Sequence, residues 1–279
     1  MILNNDDGNA LISNCIKENI RINVGRVGFV ELSACAWNNY TKGEFSLGDP
    51  QIEMAQNNAG VYGSISDVVS FCQHYQDAIA NCNIQVSWEM GPDRDRLQDC
   101  FFESCKYAHF IRNRSVEPFF FSDPWSKELE GKKVLVIHPY SKSIQKQYEN
   151  RDLLWKNKNV LPSFDLSTYK SVQSIAKTGP HSGWLESFNL MKKDIMYLDF
   201  DIALLGCGGY GMPLAHFISE GLNKSAIYVG GGLQILFGIK GKRWDEHSDI
   251  SPFYNEHWVR PLEEETPELK NNVENGCYW

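Results

Sequence analysis

Residues 201–244, DIALLGCGGYGMPLAHFISEGLNKSAIYVGGGLQILFGIKGKRW, decide the fold class of this chain. Twice an apolar run, at 202–205 and again at 226–229, breaks into glycines and restarts with helical spacing. That order is strand, tight turn, helix. Glycine lets the backbone take positive φ and approach a ligand closely. A helix behind such a turn presents unpaired N–H groups and the positive end of its dipole. The turn therefore suits an anion, phosphate above all. Lys240, Lys242 and Arg243 follow at once, and cations in this place fit diphosphate oxygens, arginine through its bidentate fork.

Outward from this stretch the same rhythm continues. Residues 133–138 (KVLVIH) read as a buried parallel strand because the apolar run is continuous rather than alternating. A polar helix is expected after it, from Ser141 or Ser143 to about Trp155, then a weaker strand over 166–175. Trp184, Phe188, Met191, Ile195 and Leu198 lie on one face of an amphipathic helix. In the first half, residues 10–16 predict a helix and 23–32 a strand. Residues 37–63 predict a long loop, rich in asparagine and glycine. A helix capped by Ser66 and a strand over 84–88 should follow, then a helix over 94–112 and an aromatic connection over 117–125. Alternating strands and helices imply an α/β, Rossmann-like protein with a mostly parallel sheet and helices on both faces. One domain over 1–279 is expected. Within it, 1–125 form an N-terminal half, 126–247 carry the glycine-rich turns, and 248–279 are an aromatic tail packed back on the body.

Composition narrows the function. The net charge of −8 argues against general nucleic-acid binding, which needs a basic face. No apolar run approaches the roughly 18 residues of a membrane span. The first ten residues, MILNNDDGNA, lack the basic and apolar segments of a signal peptide, so a cytoplasmic location is expected. The eight cysteines form no Cys-x-x-Cys pair, and reduced, structural thiols are expected of them.

In parallel sheets, ligands bind beyond the carboxyl ends of the strands. That rule gathers four turns on one edge: around Glu31, around His138, at 206–211 and at 230–232. Gly206, Gly208 and Gly211 satisfy G-x-G-x-x-G, with Gly209 inside the same turn, after a strand and before a helix. No acidic residue ends the next strand, which runs into YVGGG at 228–232. That counts against a dinucleotide site and for phosphate or sugar contact, with a purely structural turn as the alternative. Gly230, Gly231 and Gly232 precede Gln234, which should face the ligand edge from the first turn of its helix. Arg26 and Glu31, five positions apart, would point to opposite faces of a regular strand unless Gly28 bends it. Glu31 is the best candidate for a catalytic carboxylate or metal ligand, and His138, ending a buried strand, for a ligand contact or proton carrier.

The run 25–31 (GRVGFVE) resembles the D-type (GT-D) glycosyltransferases of bacterial glycan synthesis, which carry Arg-Phe-Gly-Asp-Gly-Glu near the N-terminus. Arg26, Gly28 and Glu31 match; Val27 stands for the phenylalanine and Phe29 for the aspartate. The segments GGGLQILFGIKGKRW and NEHWVRPLEEETPE also resemble uncharacterised proteins of polysaccharide loci. This resemblance implies a nucleotide-diphosphate sugar as donor and a glycan or small molecule as acceptor. It also implies a manganese or magnesium ion at the diphosphate, for which Glu31 alone of the two acidic positions is kept. A metal-free alternative leaves the leaving charge to Lys240, Lys242, Arg243 and the turn N–H groups, with Glu31 or His138 as base. A catalytically silent nucleotide- or sugar-phosphate-binding subunit is the second reading, and a Rossmann methyltransferase or oxidoreductase the third. The tail's aromatics suit a homo-oligomer interface or an acceptor groove equally well.

Overall fold

In the computed structural model, which describes residues 1–279, eight strands pair in parallel in one sheet. They are β1 (Ile2–Leu3), β2 (Asn23–Arg26), β3 (Ile84–Ser87), β4 (His109–Arg112), β5 (Lys133–His138), β6 (Asp165–Lys170), β7 (Ile202–Leu205) and β8 (Ser225–Tyr228), in the spatial order β1-β4-β3-β2-β8-β7-β5-β6. The fold is α/β and Rossmann-like, with apolar cores on both faces of the sheet.

The pleat explains the two cores. Successive side chains leave a strand on opposite faces, so Val134 and Val136 of β5 join one core while Leu135 and Ile137 join the other. Strand β7 does the same, Ile202 and Leu204 against Ala203 and Leu205. On one face the helices Phe29–Thr41, Ile65–Ala80 and Trp184–Ile195 bring in Leu32, Phe71 and Phe188. Trp184 stacks there between Phe188 and Tyr210, at centroid separations of 4.9 and 5.5 Å. The other face is covered by the helices Asn5–Lys17 and Ser141–Glu149 and by the tail, through Ile12, Ile144 and Trp258. Trp258 is 3% exposed, so the aromatics of the tail pack inward.

Several local expectations are corrected. The strand expected over 23–32 stops at Arg26, and Gly28 is the N-cap of the helix Phe29–Thr41. Phe29, Val30 and Leu32 look like a strand in isolation, yet only Leu32, Ala34 and Cys35 of this helix are fully buried. The loop expected over 37–63 holds the end of that helix and a further helix, Pro50–Asn58, started by proline at its first position. The helix at 65 is capped by Ser64, not Ser66. Ser64 and Asp67 form a reciprocal capping box. The helix expected over 94–112 is the shorter Pro92–Phe102 followed by β4, and the helix after β5 breaks at Asn150. All eight cysteines are unpaired, and no helix is long and apolar enough to cross a membrane.

The topology opens the sheet where the site lies. From β5 the chain runs outward to β6, then returns to place β7 on the other flank of β5. From β2 it runs to β3, away from β8. Connections that diverge in this way leave a crevice at the carboxyl ends of the strands.

Candidate functional site

A cavity of about 910 Å³ occupies that edge, a size that accommodates a nucleotide-sized ligand. All four expected turns contribute to its wall: Glu31, His138, Gly206 with Gly208, and Gly230 to Gly232. Arg26, Gln234 and Arg243 line it as well, whereas Gly209, Gly211, Lys240 and Lys242 do not.

The glycines outside the cavity have structural work. A Cβ on Gly211 would lie 2.1 Å from the Tyr228 ring, and one on Gly209 2.7 Å from the Ala59 carbonyl oxygen. Their place in G-x-G-x-x-G therefore reflects backbone packing rather than ligand approach. Gly208 and Gly230 hold φ of +57° and +69°, the left-handed region that glycine adopts without strain. Gly206 lets the two turns meet, since its Cβ would be 2.7 Å from His138 Cδ2 and 2.8 Å from the Gly230 carbonyl oxygen. Of the basic cluster, Lys240 lies over the Tyr254 ring and Lys242 reaches the Asn275 carbonyl. Only Arg243 reaches the cavity, paired there with Glu274 and 2.9 Å from the Tyr278 hydroxyl.

Unspent donors mark the wall formed by β7 and β8. Gly206 N–H donates to the Ile137 carbonyl and Gly230 N–H to the Leu205 carbonyl, at 3.0 and 3.1 Å. The N–H groups of Cys207, Gly208, Gly231 and Gly232 have no acceptor in the protein, and all four residues line the cavity. The helices behind these turns are only six and five residues long. Any attraction of this wall for an anion would therefore come from the N–H groups themselves more than from a helix dipole.

His138 adds a further donor. Its Nδ1 accepts the Tyr140 N–H at 3.0 Å, which leaves the ring proton on Nε2. Burial holds the ring neutral, with its pKa down at about 3. A ring so reluctant to accept a proton is a poor general base at neutral pH and a good neutral hydrogen-bond donor. The unfolded chain would protonate this histidine near its ordinary pKa, so the folded state loses stability as pH falls from about 6.5 toward 3. Between pH 7.5 and 5 the loss is expected to be on the order of 1–2 kcal/mol. Urea unfolding of wild type and His138→Gln at the two pH values measures it. The variant should lose less than wild type, and equal losses would contradict the assignment.

Glu31 sits at the third position of its helix and folds back over the N-cap, where a Cβ on Gly28 would meet its Oε2. It makes no salt bridge. Burial pushes its carboxyl pKa up, and the nearby Glu274 pushes it the same way. That combination suits a general base. Glu31 is therefore on a helix, not at the strand end expected for it, and Gly28 provides the change of direction.

Arg26 is not free to grip a ligand. Its Nε donates to Asn113 at 2.9 Å, Nη1 to the Val229 carbonyl and Nη2 to Glu117 at 3.1 Å, while the guanidinium lies 4.5 Å from the Trp88 ring centroid. Arg26 and Glu117 form a buried pair under the last glycine turn, where a Cβ on Gly232 would be 3.2 Å from Glu117 Oε1. Gln234 is likewise committed, donating to the carbonyls of Ile239 and Tyr278 and so holding the tail against the cavity. Trp88, Glu117, Arg94 and the tail residues Glu274, Tyr278 and Trp279 all line the cavity without having been picked out from the sequence. Only the aromatic tail gave a signal for any of them.

Glu31, Glu117 and Glu274 are the cavity's carboxylates, and two of them are bound to arginine. No group of three acidic, histidine or cysteine side chains is placed to hold a metal ion. The donor set thus does not fit a protein-caged manganese or magnesium ion. Burial also pushes the Cys207 thiol well up, away from a nucleophilic thiolate. Comparison with family models, curated proteins and solved structures finds no match for this chain.

Proposed function

We propose that the cavity binds a nucleotide-diphosphate sugar and that the protein is a glycosyltransferase-like enzyme of glycan or polysaccharide synthesis. The observation that carries this reading is that Cys207, Gly208, Gly231 and Gly232, whose N–H groups have no acceptor in the protein, all line one cavity. Preorganised donors of this kind stabilise charge as it develops. His138 Nε2–H and Arg243 supplement them. Trp88, Tyr228 and Tyr278 offer aromatic wall for a base.

In transfer, an acceptor hydroxyl oxygen forms a bond to the anomeric carbon as the anomeric C–O bond to the diphosphate breaks. The electron pair leaves with the diphosphate, whose new charge falls to the turn N–H groups, His138 and Arg243. The hydroxyl proton passes to Glu31. With the Arg26–Glu117 pair fixing the floor, these donors need not reorganise during the reaction.

Thermal unfolding with UDP-, GDP- and CMP-sugars, NAD and S-adenosylmethionine, each with and without manganese, tests the reading. One sugar nucleotide should raise the midpoint, equivalent to about 2.7 kcal/mol at a hundredfold excess over its Kd. Arg243→Ala should reduce that shift.

A further inference from the structure

The cavity's ionic groups pair off and leave two behind. Of its arginines, Arg26 is held by Glu117, Arg114 by Asp249 and Arg243 by Glu274. Arg94, exposed to solvent at the cavity's rim, makes neither a salt bridge nor a side-chain hydrogen bond; its guanidinium lies over the Phe29 ring, 4.3 Å from the centroid. Of the carboxylates, Glu117 and Glu274 are neutralised and Glu31 is not. Arg94 and Glu31 both line the cavity, and Phe29, the platform for Arg94, belongs to the first turn of the helix that carries Glu31.

Stacking fixes the plane of a guanidinium and leaves its edge N–H groups free for a bidentate oxyanion. The segment that carries Arg94 is also fixed, since Asp95 Oδ1 accepts the Met90 N–H at 2.8 Å. The unbonded N–H groups assigned to the donor diphosphate lie on the wall made by β7 and β8. Arg94 belongs to neither of those strands and offers the same cavity a second, separate anion contact.

We propose that Arg94 binds an oxyanion, phosphate or carboxylate, carried by the acceptor, so that the acceptor is an anionic sugar or glycan. The word acceptor rests on the transferase reading; the anion site does not. Arg94 orients the acceptor by its charge while Glu31 takes the proton from its hydroxyl. A neutral acceptor would gain nothing from the charge of Arg94, which water solvates when no anion is bound.

Calorimetric titration of the whole protein with glucose 1-phosphate, glucuronate and methyl glucoside tests the proposal, with UDP and GDP as nucleotide probes. At least one charged sugar should bind and methyl glucoside should not, and the better charged probe tells phosphate from carboxylate. Arg94→Ala should weaken the charged sugar tenfold or more, and Arg94→Lys by less. Neither should change nucleotide affinity more than twofold, whereas Arg243→Ala should weaken the nucleotide. Failure of both charged probes to bind overturns the proposal, as does equal binding of the neutral one. So does an Arg94→Ala effect confined to the nucleotide, or no effect. If no nucleotide binds but the charged sugar still depends on Arg94, the transferase reading falls and the anion site stands.

Discussion

Replacing Arg26 with alanine is expected to destabilise the protein by about 3–5 kcal/mol, because it leaves Glu117 charged and buried without its partner. The two side chains are 9% and 12% exposed, too little for water to compensate. Arg26 also loses its bonds to Asn113 and the Val229 carbonyl and its stacking on Trp88. Glu117→Leu alone should be costly for the mirror reason, whereas Arg26→Met combined with Glu117→Leu should recover much of the loss, since no lone charge then remains. Urea unfolding of the two single variants and the double variant measures the coupling. Additive losses would contradict the ion pair as the element that holds the floor. The double variant should still bind a sugar nucleotide less well, because the Gly230–Gly232 turn rests on this pair.

Glu31→Gln is expected to lower turnover by about 10² to 10⁴, the range for loss of a general base, with sugar-nucleotide affinity changed by less than threefold. Glutamine keeps the size and the oxygen that folds back over the helix start. The sign of its effect on stability is opposite to that on turnover. A carboxyl whose folded pKa is raised holds its proton more tightly when folded. Stability therefore falls as pH rises from the ordinary glutamate pKa through the raised one. Glutamine escapes that loss, so the variant should melt at the same temperature as wild type or higher at neutral pH. A stable variant with little turnover is what a carboxylate held against its preference for water should give. Unchanged turnover would remove Glu31 from the chemistry, and absence of turnover in wild type would favour the silent binding subunit.

The second half of the chain was legible because its signals are local. A continuous apolar strand ending at His138, and two strands ending in glycines, need no partner to be recognised. Their placement on one edge then follows from the parallel topology. The first half was less legible. Strand β1 is two residues long, too short for alternation to register, and β4 lies inside the stretch 94–112 that reads as helix. Phe29, Val30 and Leu32 carry β-like composition, and only the cap at Gly28 decides for helix. Within the site, the roles of Glu31 and His138 could be framed from sequence, but not their tuning, which comes from burial. Gly209 and Gly211 matched a ligand motif yet serve Ala59 and Tyr228, since a pattern of glycines records tight packing whatever is packed. The Arg26–Glu117 pair spans 91 positions, and the isolation of Arg94 is visible only once every other cavity arginine has found its carboxylate.

The most direct measurement of the central claim is the thermal midpoint of the purified protein across the sugar-nucleotide panel. A rise with one nucleotide-diphosphate sugar, reduced in Arg243→Ala and independent of manganese, is the predicted result. A rise only with NAD or S-adenosylmethionine, or none with any nucleotide, would contradict it and leave the unbonded N–H groups to another ligand.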